Sequence, residues 1–212
     1  AVLQRVTGPF YLNQAVSAAA SLSDWLGRLD AATLASATLI NNAGVIPAIV
    51  PLSASDPAEL AQALRVGLEA PMLLTAAFLR ATESWGLPRK VLNISSGLGR
   101  RAMASQAAYC AAKAGMDHFS RCIALDEAAK PHGARVCSLA PGVIDTDMQM
   151  QLRAAHAADF PDQANFVQLK AQGLLSSPAD AAARVLAWLA RSDFGATPVA
   201  DVSPRLPNTM AC

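Results

Sequence analysis

The chain has 212 residues, 53% of them hydrophobic and 16% charged, with a formal net charge of +1. That length suits one domain with a substantial core, and that composition excludes a disordered chain. No dense Lys/Arg block is present, so nucleic acid is not a favoured partner. The longest uncharged run, from Ala31 to Ser55, holds Asn41, Asn42, Gly44, Pro47 and Pro51, which argues against a membrane-embedded helix. The first residues lack a basic stretch followed by an apolar one, so no signal peptide is expected. The four cysteines, Cys110, Cys122, Cys137 and Cys212, have no metal-ligand spacing, and no metal site is expected. Buried free thiols in a reducing cytoplasm are the expected state.

In chain order, residues 1–13 carry little pattern beyond Val6-Thr7-Gly8. Residues 14–29 read as an amphipathic helix with Val16, Leu22, Trp25 and Leu26 inward. Residues 38–40 form a short apolar strand ending at Asn41, and its lack of alternation suits a parallel sheet buried on both faces. Asp56 or Ser55 can cap the next helix, with Pro57 at its start and Glu59 in a capping-box-like place. This helix runs to about residue 83. Gly67 and Pro71 lie in its interior, so a bend is expected there.

A second strand covers 91–94 and ends at Ser95 and Ser96. An Ala-rich helix spans 105–129, a third strand 134–139, and an irregular, mainly helical insertion 148–176. A helix with Pro178 near its start follows over 178–192, then a last strand over 199–202. Trp85 and Trp188 are read as core or interface residues. Strand and helix alternate throughout, which argues a single α/β domain with a doubly wound parallel sheet (Rossmann-like) and right-handed crossovers.

Chemistry concentrates between residues 90 and 113. Tyr109 and Lys113 are four apart on a helix and share a face. With the strand-end hydroxyl of Ser96 they form a set able to converge on one substrate oxygen. Asn41-Asn42-Ala43-Gly44 lies upstream, and Pro141-Gly142-Val143-Ile144-Asp145-Thr146 downstream. Both fall at strand carboxyl ends, where open α/β sheets bind ligands, and Gly44 permits close backbone approach.

The ordered set of these motifs resembles the short-chain dehydrogenase/reductase family over roughly residues 14–202, and is nearest to its sepiapterin-reductase-like and benzil-reductase-like members. The resemblance implies Tyr-x-x-x-Lys chemistry with Ser96, Tyr109 and Lys113 as catalytic residues. Tyr109 is then the proton donor in carbonyl reduction, Ser96 positions the substrate oxygen, and Lys113 lowers the phenol's pKa and holds the nicotinamide ribose. Asn41, Asn42, Ala43, Gly44, Tyr109, Lys113, Pro141, Gly142, Val143, Ile144 and Thr146 are the implied cofactor contacts. Thr146 reaches the carboxamide, and NADPH is preferred with NADH open. Asp145 is read as part of a helix cap.

The insertion is the implied substrate lid. Met148 is a substrate contact, and Met150, Phe160 and Phe166 either line an apolar pocket or pack the insertion onto the core. The implied substrate is a small carbonyl compound, a ketone or diketone, and the implied assembly a homodimer or homotetramer through the helices at 56–83 and 104–129.

Two departures from the family pattern stand out. Gly67 occupies the place of an Asn that serves a water relay to the lysine. The Gly-x-x-x-Gly-x-Gly phosphate loop does not follow Val6-Thr7-Gly8, so the first two strands and first helix of the pattern are not found. Omission from the given chain is favoured over true truncation, because a sheet without its central strand exposes an apolar edge. Two rival functions stay open: a silent homologue acting as a binding or scaffold protein, and an alcohol dehydrogenase running in the oxidative direction.

Overall fold

A computed structural model describes residues 14–202. The Val6-Thr7-Gly8 segment and Cys212 lie outside the described residues. Four parallel strands form one sheet in the order β1 (Ala37–Asn41), β2 (Arg89–Ile94), β3 (Arg135–Ala140) and β4 (Val199–Asp201). Helices separate the strands: α1 (Ala15–Leu26) before β1, α2 (Pro57–Leu64) and α3 (Ala70–Ala81) before β2, and α4 (Ala107–Ala128) before β3. The insertion carries α5 (Asp147–Ala154) and α6 (Gln163–Ala171), and α7 (Pro178–Ala190) leads into β4.

Side chains alternate across the sheet, as the strand pleat requires. Val91 and Val136 face a cluster with Leu22, Leu26, Ala77 and Phe78, joined by Ile123 and Ala124 of α4. Leu92, Cys137 and Leu139 face the opposite layer, with Phe194, Val185 and Trp188. The sheet is therefore covered on both sides, the doubly wound α/β arrangement the alternating pattern predicts. β1 departs from the expected double burial. Among the described residues it pairs only with β2, and Thr38 and Ile40 are exposed.

Helix α1 is rotated from its expected setting. Val16 is 71% exposed, while Ala15, Ala18, Leu22 and Leu26 are buried. Those four form one helical stripe, and α1 packs on α3 through Leu22 and Leu26 against Ala77 and Phe78. Trp25 is partly buried against the same cluster, and Trp85 is core, as expected.

Asp56 caps α2, accepting from the amides of Ala58 and Glu59. Glu59 does not close a capping box; its carboxylate accepts from Ala48 N–H at 2.7 Å and pins the loop after β1. The expected bend is a π-turn over Arg65–Glu69, between α2 and α3. Pro71 lies at the start of α3, where its missing N–H is tolerated. The thiols of Cys110, Cys122 and Cys137 are free, but Cys122 is exposed and not buried.

The π-turn has a packing reason. A Cβ on Gly67 would stand 2.9 Å from the Cβ of Ala112, so the turn presses directly on α4 one residue before Lys113. No side chain fits there without moving the helix. Gly67→Asn is therefore expected to lower stability by about 1–3 kcal/mol through overpacking, read as a fall in Tm in thermal denaturation.

Candidate active site

The carboxyl ends of β1, β2 and β3 and the first two turns of α4 meet at one place. Ser96 follows β2, and its hydroxyl accepts from Leu98 N–H at 3.2 Å. This local bond makes Ser96 the capping serine of the Gly97 loop. The neighbouring Ser95 is buried with its hydroxyl on Asp117.

Tyr109 is half-buried and hydrogen-bonds Ser96 through its side chain. Burial pushes its phenol above the ordinary value, and the Ser96 bond only partly opposes this. Lys113 lies one turn on, its Nζ 5.7 Å from the Tyr109 ring centre. The three residues that the spacing brings together are together in space.

The Lys113 ammonium donates to the Ile94 carbonyl at 2.7 Å. Burial lowers the lysine's own pKa to about 8, with Asp117 opposing. The loop after β1 passes beside it: a Cβ on Gly44 would stand 3.8 Å from Lys113 Nζ. Asn42, Ala43 and Gly44 are exposed at this strand end.

Asn41 is not. Its side chain is buried and donates to Asn93 Oδ1 at 2.7 Å and Thr75 Oγ1 at 3.1 Å. Asn41 thus contributes a structural tie and not an exposed contact. Strand alternation is the cause, since Asn41 and Asn42 point to opposite faces.

After β3, Pro141 is buried and Gly142 exposed, the latter with φ 92°, a conformation suited to glycine. Val143 and Ile144 are half-buried, and their backbone is engaged by the insertion. Val143 O accepts from Ser176 N–H, Asp145 N–H donates to Ser176 O, and Ile144 bridges Ser176. Thr146 precedes α5 with no side-chain cap bond. Asp145 makes no cap. Its carboxylate pairs with Lys170 at 2.5 Å and Arg153 at 3.7 Å, and these cations hold its pKa low.

Met148 is half-buried and Met150 53% exposed, whereas Phe160 and Phe166 are wholly internal. The two phenylalanines stack 5.6 Å apart within a cluster that includes Met103, Leu152 and Leu169. They pack the insertion onto the core; of the two roles open from sequence, lining a pocket is not theirs. Ile46, Ile49, Leu98, Cys110 and Val143 rest on the same cluster. An open cleft of about 750 Å³ lies between the Val45–Ile49 loop and α5, lined also by Ala58, Glu59, Gln62, Gln151, Ala154 and Ala155.

Sequence reasoning missed a buried polar network beneath the site. Asp117 accepts from Ser95, Ser138 and Arg100, and Asn93 donates to Ser120. The signal was available, because Asp117 is one helical turn beyond Lys113 on the same face. Among the described residues no His/Cys/Asp/Glu group could hold a metal, and no helix is long and apolar enough to cross a membrane.

A doubly wound sheet with a Ser–Tyr–Lys group at its carboxyl edge defines a nucleotide-dependent oxidoreductase class. Residues 8–157 match the family model for short chain dehydrogenase. The chain belongs to the short-chain dehydrogenase/reductase family, a family of oxidoreductases.

Among curated relatives, benzil reductase ((S)-benzoin forming) of Bacillus cereus is 36% identical over 74% of this chain and 63% of its own length. The enzyme of the same name from Bacillus subtilis is 32% identical over 77% and 68%, and sepiapterin reductase of Meriones unguiculatus 35% over 74% and 59%. The match thus spans about three fifths to two thirds of these relatives. A solved structure described as a putative NAD(P)-dependent gluconate 5-dehydrogenase from Beutenbergia cavernae, with bound NADP, superposes with TM-score 0.70 at 27% identity, covering 93% of this chain and 74% of that one. A metagenomic short-chain oxidoreductase in complex with NADP gives 0.51 at 32%, covering 63% and 57%.

The Asn41 assignment carries its own test. Asn41→Ala leaves Asn93 Oδ1 without that buried donor, at an expected cost of about 1–3 kcal/mol. Urea denaturation should show the midpoint falling by a matching amount.

Proposed function

We propose that the chain carries the catalytic part of an NADPH-dependent carbonyl reductase acting on an apolar ketone or diketone. The observation that supports this most is the protonated phenol of Tyr109 held beside the Ser96 side chain and Lys113. A phenol held above its ordinary pKa stays protonated at neutral pH, the form a proton donor needs.

The residues fit a nicotinamide cofactor. The exposed Asn42–Gly44 turn leaves backbone approachable next to Lys113 Nζ, and Gly142 leaves a second such edge at the end of β3. Lys113 has three donors, of which one goes to Ile94; the others are available for ribose hydroxyls. Thr146 is exposed at the start of α5, where a carboxamide would be reached. When bound, the cofactor supplies the hydride.

Ser96 orients the carbonyl oxygen, and Tyr109 passes its proton to that oxygen as the carbonyl carbon is reduced. The cleft beside the loop after β1, lined by Val45, Ile46, Pro47 and Ile49, suits the apolar arm of the substrate. NADPH over NADH follows the NADP named with two similar solved structures, and an aromatic or diketone substrate follows the benzil and sepiapterin reductases among the relatives. A homo-oligomer is part of the same reading.

Tyr109→Phe should keep the fold and NADPH binding while turnover of a diketone such as benzil falls about 10²- to 10⁴-fold. Wild-type-like NADPH oxidation by that variant would reject the proton donor. The pH dependence follows from Lys113. Its pKa of about 8 lies below the ordinary 10.5, so the ammonium is present below that point and lost above it. The kcat/KM profile for reduction is expected to be flat near neutrality and to fall above about pH 8, before the phenol itself ionises.

A further inference from the structure

We propose that Asp117, clamped by Arg100, is a positioning residue for the Ser96–Tyr109–Lys113 group: it fixes the end of β2 that presents Ser96, and it sets the charge Lys113 meets. The inference rests on the reductase reading and extends it to a residue outside the reacting set.

Asp117 is 1% exposed, and both carboxylate oxygens are used. Oδ1 accepts from Ser95 at 2.6 Å and Ser138 at 2.7 Å, and Oδ2 from Arg100 Nη1 at 2.7 Å. Ser95 immediately precedes Ser96, and its own N–H is tied to Leu139 O. One carboxylate therefore holds the ends of two neighbouring strands against the helical turn that carries Lys113. The loop from Ser96 to Arg100 is pressed on the same turn. A Cβ on Gly99 would stand 2.8 Å from Asp117 Oδ2 and 2.9 Å from Lys113 O, so only glycine allows this approach.

Arg100 continues the tie to the last strand, donating to Asp201 at 2.6 Å. Asp117 lies one turn from Lys113 and favours its protonated form against the burial that disfavours it.

The charged and titratable groups around this pair are few. Arg100 comes from the loop after β2, Asp201 from β4, Cys137 from β3, and Tyr109 from α4 itself. The Cys137 thiol is pushed up to about 11, chiefly by burial with Asp117 adding to it, and stays neutral across the relevant range. Arg100 is thus the group that offsets the Asp117 charge.

Opposite shifts in two variants test the proposal. Asp117→Asn removes the charge but not the shape, and the alkaline limb of kcat/KM should move down by about one pH unit. Plateau kcat should fall about 10- to 100-fold through misplaced Ser96, with NADPH affinity retained. Arg100→Gln leaves the carboxylate less neutralised, so its alkaline limb should move up. Ser138→Ala removes one hydrogen bond and keeps the charge, so Tm should fall with the limb unmoved.

The Lys113 Nζ titration, followed by NMR in lysine-labelled protein, reads the same shifts without turnover. If wild type fails to oxidise NADPH with any diketone, the reductase reading fails while this titration still reports on Asp117. Limbs and titrations unmoved in both charge variants, or moved in the same direction, overturn the proposal. Should Asp117→Asn not fold, the Arg100→Gln direction alone decides it.

Discussion

The parallel register places three polar side chains on one rung of the sheet. Asn41 of β1 pairs with Asn93 of β2, and Asn93 with Ser138 of β3. One pleat earlier on the same face stand Leu39, Val91 and Val136, which are apolar. The face toward α3 and α4 thus changes from hydrocarbon to hydrogen bonds just before the strands end. Thr75, Ser120 and Asp117 answer the rung from the helices. Buried polar groups are costly unless paired, and a buried carboxylate more so. The helices are consequently held at one rotation, and Tyr109 and Lys113 ride on α4 with it. A one-residue slip of β2 would turn Asn93 into the opposite apolar layer and dissolve the rung.

This constraint also explains which parts of the site were legible in the sequence. Tyr109 and Lys113 are four apart on a long helix, and helical geometry alone puts them on one face. Ser96 is brought to them by the strand–loop–helix order of the fold. Where the structure departs from the sequence reading, or decides what it left open, the reasons are identifiable. Asn41 and Asn42 look equivalent in a motif, but a strand sends them to opposite sides. Val16 looks like the core residue of α1, yet the buried positions near its start are Ala15 and Ala18, whose small size carries no strong apolar signal. Phe160 and Phe166 sit in a stretch without clear periodicity, so nothing local says whether they line a cavity or fill one. Arg100 reaches Asp117 and Asp201 across 17 and 101 residues, a juxtaposition that only the assembled sheet creates.

The insertion is fastened at both levels of its structure. Its apolar underside is Leu152, Phe160, Phe166 and Leu169, packed on Met103. Its end returns to the Val143–Asp145 segment through the Ser176 backbone bonds and the Asp145–Lys170 pair. The ion pair is partly exposed and contributes little alone, but the backbone bridge and the aromatic cluster are not weakened by solvent. The loop after β3 and the cover over the cleft are therefore one mechanical unit. The insertion, whose α5 lines the cleft, is thereby fastened to the Val143–Asp145 segment at the end of β3.

Burial is the largest influence on both members of the Tyr109–Lys113 pair. Burial drives both groups toward their uncharged forms, the phenol upward and the ammonium downward to about 8. Lys113 donates to the Ile94 carbonyl, and the raised pKa keeps the Tyr109 phenol protonated beside the Ser96 side chain. Negative charge developing on a carbonyl oxygen would meet the Ser96 and Tyr109 hydroxyls first and the ammonium behind them. In a low-dielectric pocket that order matters, because fixed donors aimed at developing charge need no reorganisation. The protonation of Lys113 is what keeps the rear of the site positive, and the carboxylate one turn below it acts against the burial that would remove that charge.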